Sequence, residues 1–505
     1  MDIQPLLLGV DIGSTSVKCV AVEPDGTVAA AATGTYPIAS PRPGWVEQRP
    51  EHWWRAAARA IRECVAGTDA SRIAAVSFSG NMSAMVLADR RGRPVRPSML
   101  VADTRAARQA EWLKERYGEE IAAMTGNEPL AAFVAPRLLW LRENDPGALT
   151  ESSRFAFPKD YIRFRLTGEW ATEPTDAGNT LLFDPAKGDW AWKLIRELGI
   201  DPALFPPLCS SAEKIGRVTK EAAVRTGLPE GTPVVAGGAD MACSQLGTGI
   251  LAAGETAVTL STSIQVVTPL REPIRNLAGF TFHPSAVKGT FYAMGSVFTG
   301  GLGVDWGLRM LTGDSVSAAP DRNKLERWTE AMKDIPPGSR GLLFLPFLVG
   351  SGSPSFDERD RASWLGLTLG QDKPLLLHSV LEGISYNIRD NLELLERAGI
   401  PVRELRIGGG GSRNPVWCRM VGNVAGKPAS LIGNRDASAL GAAMLAGIGT
   451  GCYASAEDAV AQAVRLTQRL EPEPDAAGRY DEMYPDYQEV CRSLNRYYVG
   501  RKRDR

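Results

Sequence analysis

The sequence predicts an α/β protein made of two similar halves. Short apolar runs alternate with longer stretches of helical periodicity, a pattern typical of sheets covered by helices. Residues 6–10 and 17–23 form a strand, a turn of small hydroxyl residues and a second strand, and residues 256–268 repeat this arrangement. The 505 residues are enough for two large domains. We predict an N-terminal domain over residues 1–247 and a C-terminal domain over residues 248–505, with the boundary where Gly and Ala concentrate.

The other elements follow in order from local periodicity. Trp53, Ala57 and Ile61 share one face of a predicted helix, and the pair Trp53-Trp54 is interpreted as a packing face rather than a sugar platform. The next apolar run is a strand that ends at Gly80. Predicted helices cover residues 51–65, 106–117, 136–143 and 240–247, and further predicted strands cover residues 73–78, 233–236 and 405–407.

The longest uncharged stretch near the C-terminus, residues 437–455, is mostly Ala, Gly, Ser and Thr. It lacks the density of large apolar residues that a bilayer demands, so it predicts a closely packed internal helix. The N-terminal segment carries an acidic residue and no basic region, which predicts no signal peptide. The seven cysteines are scattered without a CxxC motif, as in proteins of a reducing compartment. We predict a soluble, cytoplasmic protein with no membrane partner.

The composition also limits the ligands. Lys and Arg number 57 against 58 Asp and Glu, and the formal net charge is -1. Proteins that grip a nucleic-acid backbone normally carry a basic excess, so nucleic acid is not a predicted partner. The three histidines, His52, His283 and His378, are far apart in sequence, which excludes a His-rich metal site and disfavours a Ser–His–Asp triad. Any anionic ligand has to be held by local geometry.

The first motif with chemical content is the turn between the first two strands, from Asp11 to Lys18. Gly13 allows a tight turn, and the hydroxyl residues after it, among them Ser14 and Thr15, offer amide and hydroxyl donors to a phosphate. Asp11 is placed to hold Mg²⁺ through water, because this small, hard cation keeps most of its hydration shell. Lys18, on the second strand, would reach a phosphate oxygen. The alternative is an ordinary β-hairpin with a polar tip.

Asp240 is the second candidate. It follows a predicted buried strand and the pair Gly237-Gly238, at the start of a predicted helix, where ligands bind in open α/β sheets. A carboxylate at this place would accept the proton of a substrate hydroxyl as that hydroxyl attacks a phosphorus. The alternative is a helix N-cap, which is a common role of aspartate.

Two further turns belong to the second half. Residues 261–263 form a second turn of small hydroxyl residues. Four glycines at 408–411 follow a strand and let a flat ring or a phosphate approach the backbone without interference from a Cβ atom. Asn414 then offers an amide to a base edge or a ribose. The alternative is a flexible loop.

Taken in their order along the chain, these four motifs (the two hydroxyl turns, the turn that carries Asp240 and the glycine loop) resemble those of the FGGY carbohydrate kinases, a branch of the actin-like and hexokinase-like ATPases. The resemblance covers nearly the whole chain and is greatest toward the xylulokinases and related pentulose kinases. It implies a ribonuclease-H-like fold of two domains with a cleft between them. It also implies phosphorylation of a terminal hydroxyl of a small sugar, above all D-xylulose, with ATP and Mg²⁺. Residues 158–161 with 166–169, and residues 436–441, match as well but have no evident role.

Carried over residue by residue, the resemblance implies a role for each matching position. Asp240 matches the catalytic base, and Asp11 matches the aspartate linked to Mg²⁺. The other matches are phosphate contacts at Gly13, Ser14, Thr15 and Lys18, a hydroxyl near the nucleotide phosphates at Thr262, and the adenosine loop at Gly410, Gly411 and Asn414, with Gly301 beside it.

The segments that match the sugar site depart from the family pattern. Residues 79–83 fall where xylulokinases carry Gly-Gln-Met-His, and residues 102–105 fall where they carry Asn-Asp-Gly-Arg. Residues 350–354 likewise replace Gly-Glu-Arg-Thr-Pro. A serine in place of the histidine reaches the same sugar hydroxyl only through a water, so another pentulose, a hexulose, a polyol or gluconate stays an alternative substrate. The implied sugar contacts are Asn81, Met82, Ser83 and Asp103, together with Asp240.

Two other function classes share parts of this pattern. An actin-like ATPase switch protein has the same fold but needs neither Asp240 nor the sugar segments. A sugar-sensing regulator with an inactive kinase fold normally carries a DNA-binding segment or a basic arm, and the sequence shows neither. A homodimer is left open, and so is the reactivity of Cys243, close to Asp240.

Overall fold

The computed structural model describes residues 4–272, 274, 277–313, 328–434 and 436–500. Two mixed sheets of seven strands each form its centre. The strands of the first sheet are β1 (Leu6–Ile12), β2 (Ser16–Val22), β3 (Val28–Thr35), β4 (Ile73–Gly80), β5 (Lys214–Arg217), β6 (Pro233–Val235) and β7 (Gly238–Ala239). Those of the second are β8 (Gly254–Leu260), β9 (Ile264–Leu270), β10 (Thr281–Pro284), β11 (Phe291–Val297), β12 (Val402–Gly408), β13 (Ala429–Ile432) and β14 (Leu466–Leu470).

Helices cover the sheets and connect the strands. They are α1 (Pro50–Ala66), α2 (Ala107–Thr125), α3 (Val134–Asn144), α4 (Pro146–Glu151), α5 (Pro158–Thr167), α6 (Pro174–Ala177), α7 (Trp192–Glu197), α8 (Lys220–Thr226), α9 (Asp240–Gly247), α10 (Gly301–Thr312), α11 (Lys373–Arg397), α12 (Pro415–Ala425), α13 (Ala437–Thr450), α14 (Ala456–Ala463) and α15 (Pro474–Val499). Four two-stranded pairs lie outside the sheets: Glu47–Gln48 with Ser98–Met99, Val86–Ala88 with Arg154–Ala156, Phe183–Asp184 with Asp189–Trp190, and Leu343–Leu345 with Ser363–Leu365.

The two sheets repeat one topology. The first has the order β5–β6–β4–β1–β2–β3, with β7 also paired to β4, and the second has the order β10–β11–β9–β8–β12–β13–β14. Each sheet contains a hairpin of two antiparallel strands, β1–β2 in the first and β8–β9 in the second. The first strand of each hairpin also pairs in parallel with a strand much later in the chain, β1 with β4 and β8 with β12. The predicted duplication is therefore confirmed. Since parallel strands end at the same edge, the loops after β4 and β12 meet the two hairpin turns.

Most predicted elements are present, with ends that differ by a few residues. The helix predicted over residues 106–117 continues to Thr125, because Gly126 (φ 76°) is the first residue that takes the left-handed conformation of a C-cap. Trp53 is fully buried and donates its indole N–H to Gln48 Oε1 at 2.8 Å, which confirms the packing face. Among the described residues, no helix has the length and apolarity needed to cross a membrane.

Helix α13 joins the second half of the chain to the first sheet. Its backbone lies in direct contact with the backbones of α9 and β1, because glycines occupy the points where these elements cross. A Cβ atom at Gly441 would lie 1.9 Å from the carbonyl oxygen of Cys243, and one at Gly9 would lie 1.9 Å from that of Ala439. The internal helix predicted over residues 437–455 is confirmed as Ala437–Thr450. The boundary predicted between residues 247 and 248 stays a prediction.

Candidate active site

The first hydroxyl turn points its donors outward. Side chains and amides from three other segments take up the carbonyl groups of the turn: Gln48 Nε2 donates to Ser14 O at 2.7 Å, Asn81 Nδ2 donates to Gly13 O at 3.3 Å, and the Tyr36 amide donates to Thr15 O at 3.2 Å. Ser14 and Thr15 are themselves exposed. With its acceptors turned inward, the tip of the hairpin presents N–H and O–H groups to an anion.

Asp11 and Lys18 face each other across this hairpin, as register partners of β1 and β2. Asp11 Oδ1 accepts a hydrogen bond of 2.7 Å from Ser79 Oγ on β4. Burial raises the pKa of Asp11, an effect opposed by the Ser79 hydrogen bond and by Lys18 and reinforced by Asp436. The Lys18 ammonium is engaged by Asp436, just before α13. Lys18 thus lies on β2 opposite Asp11, with a carboxylate partner that a phosphate would have to displace.

Asp240 is the first residue of α9 and follows β7 directly. Strand β7 pairs in parallel with Ser79 and Gly80, and Gly237 (φ 88°) makes the turn into it, where a Cβ atom would lie 2.1 Å from Phe78 O. This pairing brings Asp240 to the same edge of the sheet as Asp11. The N-cap of α9 is Ala239, without a side-chain cap, so Asp240 is not an N-cap. Its Oδ1 accepts a hydrogen bond of 2.8 Å from its neighbour, the Met241 amide.

The environment of Asp240 favours a proton acceptor that works near neutral pH. Burial and the adjacent negative charge of Asp11 raise its pKa to about 7, although the Met241 amide acts in the opposite direction. A carboxylate of ordinary pKa holds a transferred proton weakly, whereas one with a pKa near the working pH balances ionisation against basicity. Two neighbouring carboxyl groups thus share this edge of the sheet, and burial raises the pKa of both.

This raised pKa predicts a pH-dependent effect on stability. The unfolded chain loses the Asp240 proton near pH 4 and the folded chain only near pH 7. The group therefore contributes stability below pH 4 that is lost as the pH rises to 7. Asp240→Asn, which cannot ionise, is expected to raise the free energy of unfolding by about 4 kcal/mol at pH 8, since each pKa unit between the unfolded and folded chain is worth about 1.4 kcal/mol, with little change at pH 4. Urea denaturation at both pH values measures this, and an equal effect at both would contradict the assigned pKa.

The second hydroxyl turn is closed by the start of α10. The amides of Gly301 and Gly300 donate to Ser261 O at 2.7 Å and to Thr262 O at 3.1 Å. A Cβ atom at Gly301 would lie 3.0 Å from Ser261 O, so a larger residue would have to shift this turn by a few tenths of an ångström. Two predicted nucleotide residues, Thr262 and Gly301, are thereby brought together, although about 40 residues separate them in sequence.

The glycine loop packs on the base of the same turn. Gly409 has a φ of 83°, and a Cβ atom there would lie 2.6 Å from Leu260 O. Gly411 lies against the Trp417 ring and Leu260. Asn414 caps α12, with its Oδ1 accepting from the Trp417 amide at 3.1 Å, and its buried Nδ2 has no protein acceptor in the described chain. A free amide donor beside a glycine-lined surface suits the edge of a flat heterocycle.

Two matches with family models decide the identity of the fold. The model described as the FGGY family of carbohydrate kinases, N-terminal domain, matches residues 6–247, and the one described as the C-terminal domain matches residues 244–450. The chain belongs to the FGGY family of carbohydrate kinases. It has the two-domain ATPase fold of that family, and its substrates are ATP and a sugar.

Individual FGGY kinases are similar over nearly the whole chain. The xylulose kinase of Bacillus subtilis is 32% identical over 487 residues, which cover 96% of this chain and 96% of that protein. The gluconokinase of the same organism is 28% identical over 500 residues, with 98% and 97% covered. Among solved structures, the xylulose kinase of Rhodospirillum rubrum superposes with a TM-score of 0.89 at 27% identity, over 98% of this chain and 100% of that one.

Residues 79–83, one of the segments that match the family's sugar site, lie beside the first hydroxyl turn. The Asn81 amide donates to Ile12 O at 2.8 Å, and the buried Asn81 Oδ1 has no partner in the described chain. Met82 is partly buried, and Ser83 is buried with a φ of 66°. An unpaired acceptor in this position is available to a ligand hydroxyl. Asn81 thus lies within the region that holds Asp11 and Gly13.

Asp103 has a different environment, because its carboxylate is fully engaged within the protein. The Val46 amide donates to Oδ2 at 2.7 Å, and the Arg105 Nε donates to Oδ1 at 2.8 Å. The Arg105 guanidinium in turn stacks 3.6 Å from the centroid of the Trp45 ring and pairs with Glu47 at 2.8 Å. A direct contact of Asp103 with a sugar would have to share these bonds.

Three further residues of the site have no role that the sequence alone indicates. Arg137, buried in α3, donates to Leu100 O at 2.7 Å and to Ser83 O, and so ties the two sugar segments together. Its only signal is a cation in an otherwise apolar stretch of helix. Asp436 binds Lys18, and Ser438 donates to Asp240 O at 3.2 Å. These two give the matching segment at residues 436–441 a place in the site.

Cys243 is an unreactive structural thiol. It is fully buried, and burial raises its pKa well above the usual range, an effect reinforced by nearby carboxylates. A thiol that stays protonated and out of contact with solvent is neither a nucleophile nor a site of oxidation.

Proposed function

We propose that this carbohydrate kinase transfers the γ-phosphoryl group of ATP to the terminal hydroxyl of D-xylulose, giving D-xylulose 5-phosphate. The observation that carries the proposal is the position of Asp240, with a pKa of about 7, beside Asp11 and the first hydroxyl turn. A base at this point can take the proton of an alcohol that attacks phosphorus. The identity of 32% to a xylulose kinase supports the choice of sugar.

In this mechanism Asp240 takes the proton of the terminal hydroxyl. The sugar oxygen forms a bond to the γ-phosphorus while the bond from phosphorus to the bridging oxygen breaks, and ADP leaves. The transition state of phosphoryl transfer is loose, so the chain accelerates it mainly by orientation and charge neutralisation. Amides of the two hydroxyl turns, with the Thr262 hydroxyl, hold the phosphates, and Gly301 closes the second of these turns. Lys18 neutralises charge on the transferred group once Asp436 releases it.

Asp11 fits the role of the residue that holds Mg²⁺. Its carboxylate is a hard oxygen donor, partly exposed, and only Oδ1 is used by a protein hydrogen bond in the described chain. Mg²⁺ is normally bound by one or two carboxylates plus waters and phosphate oxygens rather than by a protein cage. Bound Mg²⁺ would neutralise phosphate charge during transfer.

The electrostatics of the sugar segments favour a neutral ketose over gluconate. A sugar acid carries a carboxylate, which needs a free cation or several donors. Two guanidinium groups beside these segments are engaged, Arg105 by Asp103 and Glu47 and Arg137 by backbone carbonyls. Asn81 and Ser83, by contrast, are neutral and suit sugar hydroxyls. The second candidate, a gluconate kinase, is therefore the less favoured one.

A coupled assay of ADP release tests this proposal. D-xylulose, D-ribulose, D-fructose, glycerol and D-gluconate are compared at equal concentration with ATP and Mg²⁺. D-xylulose is expected to give a kcat/KM at least about tenfold above the others, because mismatched hydroxyls lose about 1–3 kcal/mol each. Preference for gluconate would contradict the assigned sugar. ADP release that no sugar stimulates would contradict the kinase mechanism itself.

A further inference from the structure

A cluster of buried charges lies behind the turn that carries Asp240. Lys159 Nζ is 2.7 Å from Asp160 Oδ1, 2.9 Å from Asp176 Oδ2 and 3.2 Å from Glu173 Oε1. Arg163 Nη1 is 2.8 Å from Asp160 Oδ1. All five side chains are fully buried. Lys159 and Asp160 belong to the matching segment at residues 158–161, for which the sequence showed no role.

The cluster joins two cations, Lys159 and Arg163, with three carboxyl groups. Burial raises the pKa of Asp176 well above its usual range, an effect opposed by Lys159 and reinforced by Glu173 and Asp160. Each cation is paired with at least one carboxylate. Burial of charge is tolerated only when it is paired in this way, and each partner is then held in a fixed place.

A directed chain of hydrogen bonds runs from this cluster to the turn. Thr175 Oγ1 donates to Glu173 Oε1 at 2.7 Å, which commits its only proton. The lone pairs of the same oxygen then accept the Ala239 amide, also at 2.7 Å. Ala239 immediately precedes Asp240, and Thr175 is fully buried.

Two more bonds fix the residues before Ala239. Arg163 Nη1 donates to Ala236 O at 3.0 Å. The Gly237 amide donates to Ser211 O at 2.9 Å, and Ser211 Oγ donates to Glu173 Oε2 at 3.0 Å. The cluster therefore holds the backbone from residue 236 to residue 239 at three points.

We propose that Thr175, oriented by Glu173 and Lys159, is a positioning residue for Asp240. Its hydroxyl fixes the peptide that precedes the base and so sets where the carboxylate stands relative to the sugar hydroxyl. Proton transfer depends steeply on such placement, and an error of about 1 Å costs on the order of 100-fold in rate. The inference rests on the proposed function, since it takes Asp240 to be the base.

The test is Thr175→Val, which keeps the shape and removes the hydroxyl. We expect kcat to fall about 10- to 100-fold, with KM for ATP and for D-xylulose within twofold of the original. Thr175→Ser, which restores the hydroxyl, is expected to recover kcat to within about threefold. If the valine variant does not fold, Thr175→Ala replaces it. Alanine also removes the hydroxyl, but it does not place a methyl group against the Ala239 amide as valine does.

Thr226→Val is the matched control. Thr226 is also fully buried, and its Oγ1 accepts the Leu228 amide at 3.3 Å, but it lies at the end of α8, outside the site. Its kcat should not change. A normal kcat for Thr175→Val, no recovery with serine, or an equal loss in the Thr226 control would each overturn the proposal.

Combining the variant with Asp240→Asn separates this inference from the proposed function. If Thr175 acts through Asp240, Thr175→Val should not lower the residual rate of Asp240→Asn any further. A further drop by the same factor would overturn the positioning role while Asp240 remains the base. Near-normal turnover of Asp240→Asn alone would instead overturn the proposed function.

Discussion

Asp240→Asn is expected to lower kcat by about 10³-fold or more, within the range that general-base catalysis supplies. The amide keeps the shape of the side chain and its bond from the Met241 amide, but it cannot accept the hydroxyl proton. The hydroxyl turns and the glycine loop are unchanged, so the Kd for ATP and the KM for D-xylulose should stay within about threefold. Steady-state kinetics and calorimetric titration with ATP measure the three quantities.

Asp390→Asn is the matched control for this variant. Asp390 is another carboxyl whose pKa burial raises, here to about 6, and it accepts a hydrogen bond of 2.6 Å from Tyr484 between α11 and α15. Because it lies outside the site, its amide variant should keep kcat within about twofold. Equal losses in the two variants would mean that the Asp240 effect reflects lost structure rather than a lost base.

Gly441→Ala is expected to destabilise the fold by about 3 kcal/mol or more. The added methyl group would lie 1.9 Å from the carbonyl oxygen of Cys243, where α13 contacts α9. The atoms that it would meet belong to the backbone of Cys243, so no side-chain rotation can relieve the overlap. The same shift would move α9, which begins at Asp240, so activity should fall with stability. Urea denaturation followed by circular dichroism measures the effect.

Gly478→Ala serves as the comparison within a helix. Gly478 lies on the exposed side of α15, and a Cβ atom there would meet nothing within 4 Å. Alanine should stabilise that helix by up to about 1 kcal/mol, because glycine has the lower helix propensity. A neutral or stabilising effect of Gly441→Ala would show that the close packing of α13 on α9 is wrong.

Much of the fold could be predicted because its signals are local. Each hydroxyl turn lies between two apolar runs only a few residues long, and two strands joined by so short a turn pair with each other as a hairpin. Asp240 is a predictable candidate for a similar reason, because it is a carboxylate that follows a strand and two glycines. The glycine run at 408–411 predicts close approach to the backbone, and the structure confirms it, because Cβ atoms at Gly409 and Gly411 would overlap their neighbours.

The partners of these residues could not be predicted, because they come from distant parts of the chain. Lys18 and Asp436 are 418 positions apart, and Thr175 and Ala239 are 64 apart. No periodicity links such positions. The engagement of Asp103 by Arg105 was hidden for another reason. The two residues are nearly adjacent in sequence, but an aspartate and an arginine at this spacing form an ion pair in some structures and stay separate in others.

The most direct measurement is a crystal structure of Asp240→Asn with ATP, Mg²⁺ and D-xylulose, in which slow turnover keeps the reactants intact. The account predicts that the carboxamide oxygen or nitrogen at position 240 lies within about 3 Å of the terminal sugar hydroxyl, with that hydroxyl aligned on the γ-phosphorus. A sugar bound with its terminal hydroxyl away from position 240, or a γ-phosphate held outside the two hydroxyl turns, would contradict it.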